Sequence, residues 1–396
     1  MHRFTFRHIC ALSVLLLAGA AWPQGSTTDQ LNSRIEALEK SLSEHSSGAS
    51  GNSSATGVPL HGFIDVGYAS SDGKHPAHDR PGFRLGTLDI YLTPQFGDRI
   101  KALVEIAFEY GHDHGFATDL ERLQLGYVWS NSATLWAGRF HTPYGYWNTG
   151  FHHGAQIQTS ITRPRFIAFE DHGGILPAHK VGLWVTGKFG TSAGQVLYDA
   201  YVANAGSLRD GKLDFNASGH DAAAPASGFK LGLSPSVLPD LVFGLHALNE
   251  TVHSYDSNKS LNGKVQFQVA GAYAFYESDD WEVLAEYYSF KNLDVYGNAG
   301  TNQSSAWFLQ VGRTVAERLT AYARYEKADL NSADPYFQRM NNGTTHFGSS
   351  YHQSTVGLRY ELTPQAALKL QFEQIVDEGS SNQPVNWVRG QYAVRF

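Results

Sequence analysis

The densest run of side chains able to do chemistry lies between His141 and His179. It holds His141, the adjacent pair His152-His153, Arg163 and Arg165 on either side of a proline, and the cluster Glu170-Asp171-His172 before two glycines. Planar guanidinium suits phosphate or carboxylate anions better than lysine does. Glu170 and Asp171 would balance Arg163 and Arg165 across an aqueous path, or pair with Arg163 and hold the segment against a wall. Imidazole beside carboxylate, here and at His112-Asp113-His114, is a ligand combination for Zn, Cu or Ni. A structural zinc site needs four well-placed ligands, and no spacing here fixes such a set. Neither a metal nor a cofactor is expected. Tyr144, Tyr146, Trp147 and Phe151 in the same stretch would be the stacking platform of a sugar-specific channel. Nor is an enzyme expected. The Gly-x-Ser-x-Gly match at Gly190-Thr191-Ser192-Ala193-Gly194 falls in a tight turn between two predicted strands, whereas a nucleophile elbow needs a helix after it.

The elements that must position these groups are strands. From Leu60 onward, sixteen alternating segments lie near 60–69, 83–93, 99–110, 119–129, 133–140, 180–189, 194–203, 227–234, 240–249, 264–276, 281–291, 304–314, 318–328, 352–361, 365–376 and 386–396. In the third, Ile100, Ala102, Val104, Ile106, Phe108 and Tyr110 make one face, and Lys101, Glu105 and Glu109 punctuate the other. About ten tilted residues at roughly 3.3 Å each cross an apolar band of about 25 Å. The connections alternate between tight turns, such as 94–98, 130–132, 277–280 and 315–317, and long polar loops, such as 70–82, 204–226, 250–263 and 329–351. Short turns on one side and long loops on the other are the asymmetry of an outer-membrane barrel. The last strand ends on Phe396 and would close against the first, which removes the open edge. Tyr127 with Trp129, Tyr287 with Tyr288, and Trp387 read as interfacial girdles.

Ahead of the strands, Arg3 and Arg7 precede the apolar run Ala11 to Ala21, so residues 1–21 read as a cleavable signal peptide. It contains the single cysteine, Cys10, so the exported chain has no thiol. Leu31, Ile35, Leu38 and Leu42 repeat with a 4-3-4 spacing, and residues 26–43 read as a coiled-coil oligomerisation helix. Residues 44–58 form a Ser/Gly/Asn-rich linker, and residues 59–396 the barrel. Loss of Arg3 and Arg7 leaves 28 basic against 37 acidic side chains, a net −9, which argues against a nucleic-acid partner.

The junction Gly138-Arg139-Phe140-His141-Thr142-Pro143-Tyr144-Gly145, opening a long connection after the fifth strand, resembles the strand-to-loop junction of the phosphate-selective porin O and P family. More broadly, the chain from Leu60 to Phe396 resembles sixteen-stranded trimeric porins. In these the third external loop folds into the lumen. The resemblance implies a passive channel, a homotrimer in the outer-membrane bilayer, and a constriction built by loop 141–179. Its candidate lining is Arg139, His141, His152, His153, Arg163, Arg165, Glu170 and Asp171. The expected wall residues Arg84, Arg122, Arg324, Arg359 and Lys369 alternate with Glu105, Glu109, Glu282, Glu286 and Glu373. That mixture departs from the strongly basic lumen phosphate selectivity would imply. The sequence therefore reads as an all-β transmembrane antiparallel barrel of about sixteen strands with a short N-terminal coiled-coil helix. Its expected function is passage of small hydrophilic solutes or ions. The alternatives are an anion- or phosphate-selective or sugar-specific channel, and a barrel hydrolase or adhesin with a plugged lumen.

Overall fold

The computed structural model describes residues 60–72, 81–110, 116–151, 154–170, 172–214, 225–341, 346–378 and 383–396. Sixteen long strands follow one another as β1 (Leu60–Ser71), β2 (Gly82–Leu92), β3 (Ile100–Tyr110), β4 (Phe116–Ser130), β5 (Ala133–His141), β6 (His179–Thr191), β7 (Gly194–Asn204) and β8 (Pro225–Pro235). The second half comprises β9 (Leu241–Tyr255), β10 (Leu261–Glu277), β11 (Trp281–Asp294), β12 (Thr301–Ala316), β13 (Leu319–Asp329), β14 (Tyr351–Thr363), β15 (Ala366–Asp377) and β16 (Pro384–Arg395). Each pairs antiparallel with its neighbours in sequence, and β16 returns to pair with β1. The expected closure therefore holds, and Phe396 takes part in it. Its backbone exchanges two hydrogen bonds of 3.0 Å with Gly62. The coiled-coil helix, the signal peptide and the linker lie outside the described residues.

Alternation separates two walls. On β4, Leu123, Leu125 and Tyr127 are exposed, and on β3 Val104 stands between Leu123 and Leu92 on the same face. Glu105, one residue on, is 2% exposed and faces inward against Arg122. An outer wall of aliphatic and aromatic side chains with charges inside is the lipid-facing arrangement. Tyr127 and Trp129 are exposed there, as a girdle requires, but Tyr288 and Trp387 are buried on the inner face. Only Tyr287 of the Tyr287-Tyr288 pair faces out, because neighbours on a strand point to opposite sides.

Two irregularities near the functional loop matter. Register shifts between Glu105↔Arg122 and Ile106↔Leu120, so Glu121 is the extra residue of a bulge. Gly138 adopts φ +129, and a Cβ there would lie 1.9 Å from the Leu123 carbonyl oxygen. Only glycine fits this conformation. Beyond it alternation stops, and Arg139, Phe140 and His141 are all buried.

The strands on the far side run higher than the alternating pattern suggests. β9 continues to Tyr255, so most of the expected loop 250–263 is strand. Above the apolar band both faces are polar and periodicity fades. The expected loop 329–351 likewise contains a short helix, α1 (Pro335–Met340), N-capped by Asp334, whose side chain accepts from the Tyr336 N–H at 2.9 Å.

Candidate functional site

Loop 141–179 leaves β5, crosses the interior and binds the inner faces of β11 to β15. The wall supplies donors and the loop offers backbone carbonyls. Arg324 on β13 donates to Ser160 Oγ (3.0 Å), the Thr162 carbonyl (2.7 Å) and the Arg163 carbonyl (3.2 Å). Arg359 on β14 donates to the Gln158 carbonyl at 2.6 Å, and Lys369 on β15 to the Ser160 carbonyl at 3.2 Å. Wall carboxylates answer the loop's own donors. Glu282 accepts from Thr159 Oγ1, Glu326 from the Arg165 N–H, and Glu286 from the N–H groups of Tyr146 and Trp147. Hydrogen bonds to charged partners are the strong class, about 1.5–3 kcal/mol each net. The mixed charges expected along the inner wall are thus largely engaged with the loop.

An aromatic core fills the space between loop and wall. Trp147, Phe166, Tyr288 and Phe308 are all at most 1% exposed, and Phe166 meets the Tyr288 ring edge-on at 5.2 Å. Tyr146 stacks on Phe275 at 4.1 Å. Of the four aromatics expected as a sugar platform, Tyr144 and Trp147 are buried in protein contacts, and Tyr146 and Phe151 are partly buried against Phe275. The helix α1 packs into the same interior. Its Tyr336 lies 4.5 Å from Phe267, and the Tyr336 hydroxyl donates to the Ile175 carbonyl at 2.8 Å. This second inward segment was missed in the sequence. The only signal was the apolar cluster Tyr336, Phe337 and Met340 within a polar stretch, and all three are buried.

At the loop's root, the Glu170 carboxylate accepts from the His179 N–H at 2.9 Å and lies 3.2 Å from His179 Nδ1. His179 Nε2 is 2.7 Å from Glu121, the bulge residue. Burial opposes ionisation of Glu170, yet the His179 side chain and backbone N–H hold its carboxyl below the usual range. His141 sits edge-on to His179 at 5.4 Å and 3.6 Å from Glu105. Arg139 is covered and donates to the Glu121 carbonyl at 3.0 Å. Arg163 donates to Asn148 Oδ1 at 2.9 Å and lies 4.0 Å above the Phe169 ring. Burial pulls its pKa down from the ordinary arginine value. Arg165 pairs with Asp377 at 2.9 Å and covers Tyr351 at 4.5 Å. His152, His153 and Asp171 lie outside the described residues. Among the described residues no group of three or more His, Cys, Asp or Glu is placed to hold a metal ion.

The expected residues thus divide. Arg139, His141, Arg163 and Glu170 come together as loop scaffolding, and Arg324 and Arg359 as its anchors. Arg84, Arg122, Arg163 and Arg165 keep partial exposure on the inner side. Arg122 is paired to Glu105, and Arg389, which the sequence reading did not single out, is paired to Glu373 at 2.9 Å. Arg84 forms no ion pair among the described residues. The Gly190–Gly194 motif is the turn joining β6 and β7, closed by Thr191 Oγ1 donating to the Gly194 carbonyl at 2.8 Å. No helix follows it.

No protein-family model and no curated relative matches the sequence. Solved structures match the fold. An anion-selective porin from Comamonas acidovorans is 14% identical, with 86% of this chain and 99% of that one covered at a TM-score of 0.57. The outer-membrane channel DcaP of Acinetobacter baumannii is 14% identical over 87% and 99%, also at 0.57. OmpF of Salmonella typhi, in complex with daunomycin, is 10% identical over 86% and 97% at 0.52. At these identities the likeness establishes the fold, a closed sixteen-stranded antiparallel barrel of the porin kind.

Proposed function

We propose that the protein is a bacterial outer-membrane porin. It passes small hydrophilic solutes or ions down their gradients, and loop 141–179 sets the aperture. One observation carries this reading: the loop is tied by charged wall residues to one side of the interior. A sixteen-stranded barrel encloses an aqueous lumen too wide to select well unless something narrows it. The passage then runs along the opposite wall, past Arg84, the Arg122–Glu105 pair and the Arg389–Glu373 pair. Because paired charges screen one another, selectivity is mild, and Arg84 tips it toward anions. The anion-selective relative in fold agrees with that sign but carries no weight for residue roles. Export by a signal peptide at 1–21 and a homotrimer reinforced by the 26–43 coil complete the reading. One of the solved relatives in fold, OmpT of Vibrio cholerae, is described in a trimer form.

The extent of the aromatic core favours one rival, a plugged barrel acting as an adhesin. Planar-bilayer conductance of the purified protein under a salt gradient separates the two. Stepwise openings in groups of three, with an anion-selective reversal potential that weakens in Arg84→Gln, are expected. Folded protein without conductance would sink the porin reading.

A further inference from the structure

The outer wall is not uniform around the barrel. On β3 the outward row stays apolar to the strand's exterior end, through Ile106, Phe108 and Tyr110. On β11 and β12 it changes character above the aromatic pair Tyr287↔Trp307. There the outward positions become Ser289 and Lys291 on β11, before Leu293 at its end, and Ser305, Gln303 and Thr301 on β12. Beside them β10 turns from a run of alanines, Ala274, Ala272 and Ala270, to Gln268, Gln266 and Lys264. Above the aromatic row, none of the outward positions of β9 to β12 carries a carboxylate, although the chain as a whole has a net charge of −7.

A hollow of ≈ 720 Å³ lies at this boundary on the outer face. Its floor is small and apolar, from Ala200, Ala247 and Ala270, with Phe229 along one side. Its upper lining is Asn249, Gln268, Ser289 and Lys291. Gln268 donates to Asn249 Oδ1 at 3.2 Å, which holds the amides at the rim. Lys291 is exposed and makes no ion pair among the described residues. An apolar trough that opens upward onto hydrogen-bond donors and an uncompensated ammonium matches one kind of molecule: an amphiphile with an acyl chain below and an anionic headgroup above.

We propose that this hollow binds one membrane lipid with a phosphorylated headgroup. The acyl chain lies along Ala200, Ala247 and Ala270, and the phosphate meets Lys291, with Lys264 as the next cation above it. The inference rests on the outer-membrane reading, since it assumes that this wall faces lipid. Lysines at a membrane surface each attract an anionic headgroup by an amount equivalent to about fivefold in affinity. The serine and amide side chains add direction, because phosphate oxygens accept from every one of them.

The test is native mass spectrometry of the full chain released from detergent. The probes are bisphosphorylated lipid A, its phosphate-free form, phosphatidylcholine and inorganic phosphate. The expected result is one retained bisphosphorylated lipid per chain, with no retention of the other three. Occupancy should fall about fivefold in Lys291→Gln and about twenty-five-fold in Lys264→Gln/Lys291→Gln. Ala270→Trp, which closes the floor without touching the charge, should abolish retention. Equal retention of the phosphate-free lipid or phosphatidylcholine, or undiminished binding by the lysine variants, would overturn the proposal. So would retention of inorganic phosphate alone, or a change in oligomer mass in place of lipid loss, which would make the hollow a contact between copies. Conductance measured on the same samples keeps the porin reading separate, because none of these substitutions touches the lumen.

Discussion

Replacing Arg324 by methionine keeps side-chain length but removes the cation that gathers the loop. The guanidinium is fully buried, and four of its hydrogen bonds reach loop 141–179, at 2.7 to 3.2 Å to Ser160, Thr162 and Arg163. It also stands 3.7 Å from the buried Glu326. Glu326 would retain the Arg165 N–H (2.7 Å) and the Tyr351 hydroxyl (3.4 Å), so its charge would stay only partly satisfied. Removing one member of a buried charge pair costs about 3–5 kcal/mol. At 1.4 kcal/mol per tenfold, the undocked loop gains population by roughly a hundredfold to a few thousandfold. The barrel ladder does not depend on Arg324, so the strands should still assemble. The assay is single-channel recording together with limited proteolysis of the folded barrel. The variant should show noisier, larger openings and new cleavage between Gln156 and Arg165. Arg313→Met, which removes an arginine lying over Trp281 at 4.9 Å, serves as the control. Quiet openings and an intact loop in Arg324→Met would show that the aromatic core alone holds the loop, and the wall-anchoring argument would fail.

Other outcomes follow from the same geometry. Val104→Arg, on the outer face between Leu92 and Leu123, should cost about 2–4 kcal/mol at midplane depth; unchanged heat resistance would mean that Val104 does not face lipid. In Gly62→Val a Cβ would come within 2.4 Å of the Phe396 ring and 2.6 Å of the Asp89 carbonyl oxygen. This should lower the thermal midpoint of the barrel, whereas Gly82→Val, with nothing within 4 Å, should not. Equal midpoints would refute the closing contact. The depressed Glu170 carboxyl stabilises loop docking above the ordinary carboxylate value of 4.5, and that contribution disappears as pH falls through the folded value. Acid titration of conductance should therefore loosen the wild-type loop, while Glu170→Gln should be loose throughout; identical titrations would remove Glu170 from the account. Deleting residues 26–57 should weaken a trimer without closing the pore, and a deletion variant equally resistant to dissociation would assign that segment another role.

Much of this protein was legible along the chain. Strand number, the tight turns and the long connection after β5 follow from period-two alternation and from turn residues, which are local signals. β16 carries the same alternation, and its pairing with β1 closes the barrel. Arg324, Arg359 and Glu105 are buried on the inner side; alternation sets each opposite the outward row of its strand. Loop 141–179 stands out in the sequence as a long connection dense in charge, but the contacts its residues make do not. Arg163 and Glu170 are equally good candidates for meeting a solute and for holding the loop, and only their contacts with Asn148, Phe169 and His179 distinguish the two.

Alternation by itself determined that each strand has two faces; the folded barrel decided which face is inside. On β10 the apolar row Val265, Phe267, Val269, Tyr273 and Phe275 points into the barrel, and Gln266 and Gln268 point out, the reverse of β3. The reason is that β10 does not line water. Its inner face receives α1 and loop 141–179, so it must be hydrophobic to pack against Tyr336 and Tyr146. Its outer face rises past the apolar band and so can be polar. A strand's sequence records that its sides differ, while the loops that come to rest inside, from far along the chain, determine which side is buried in protein.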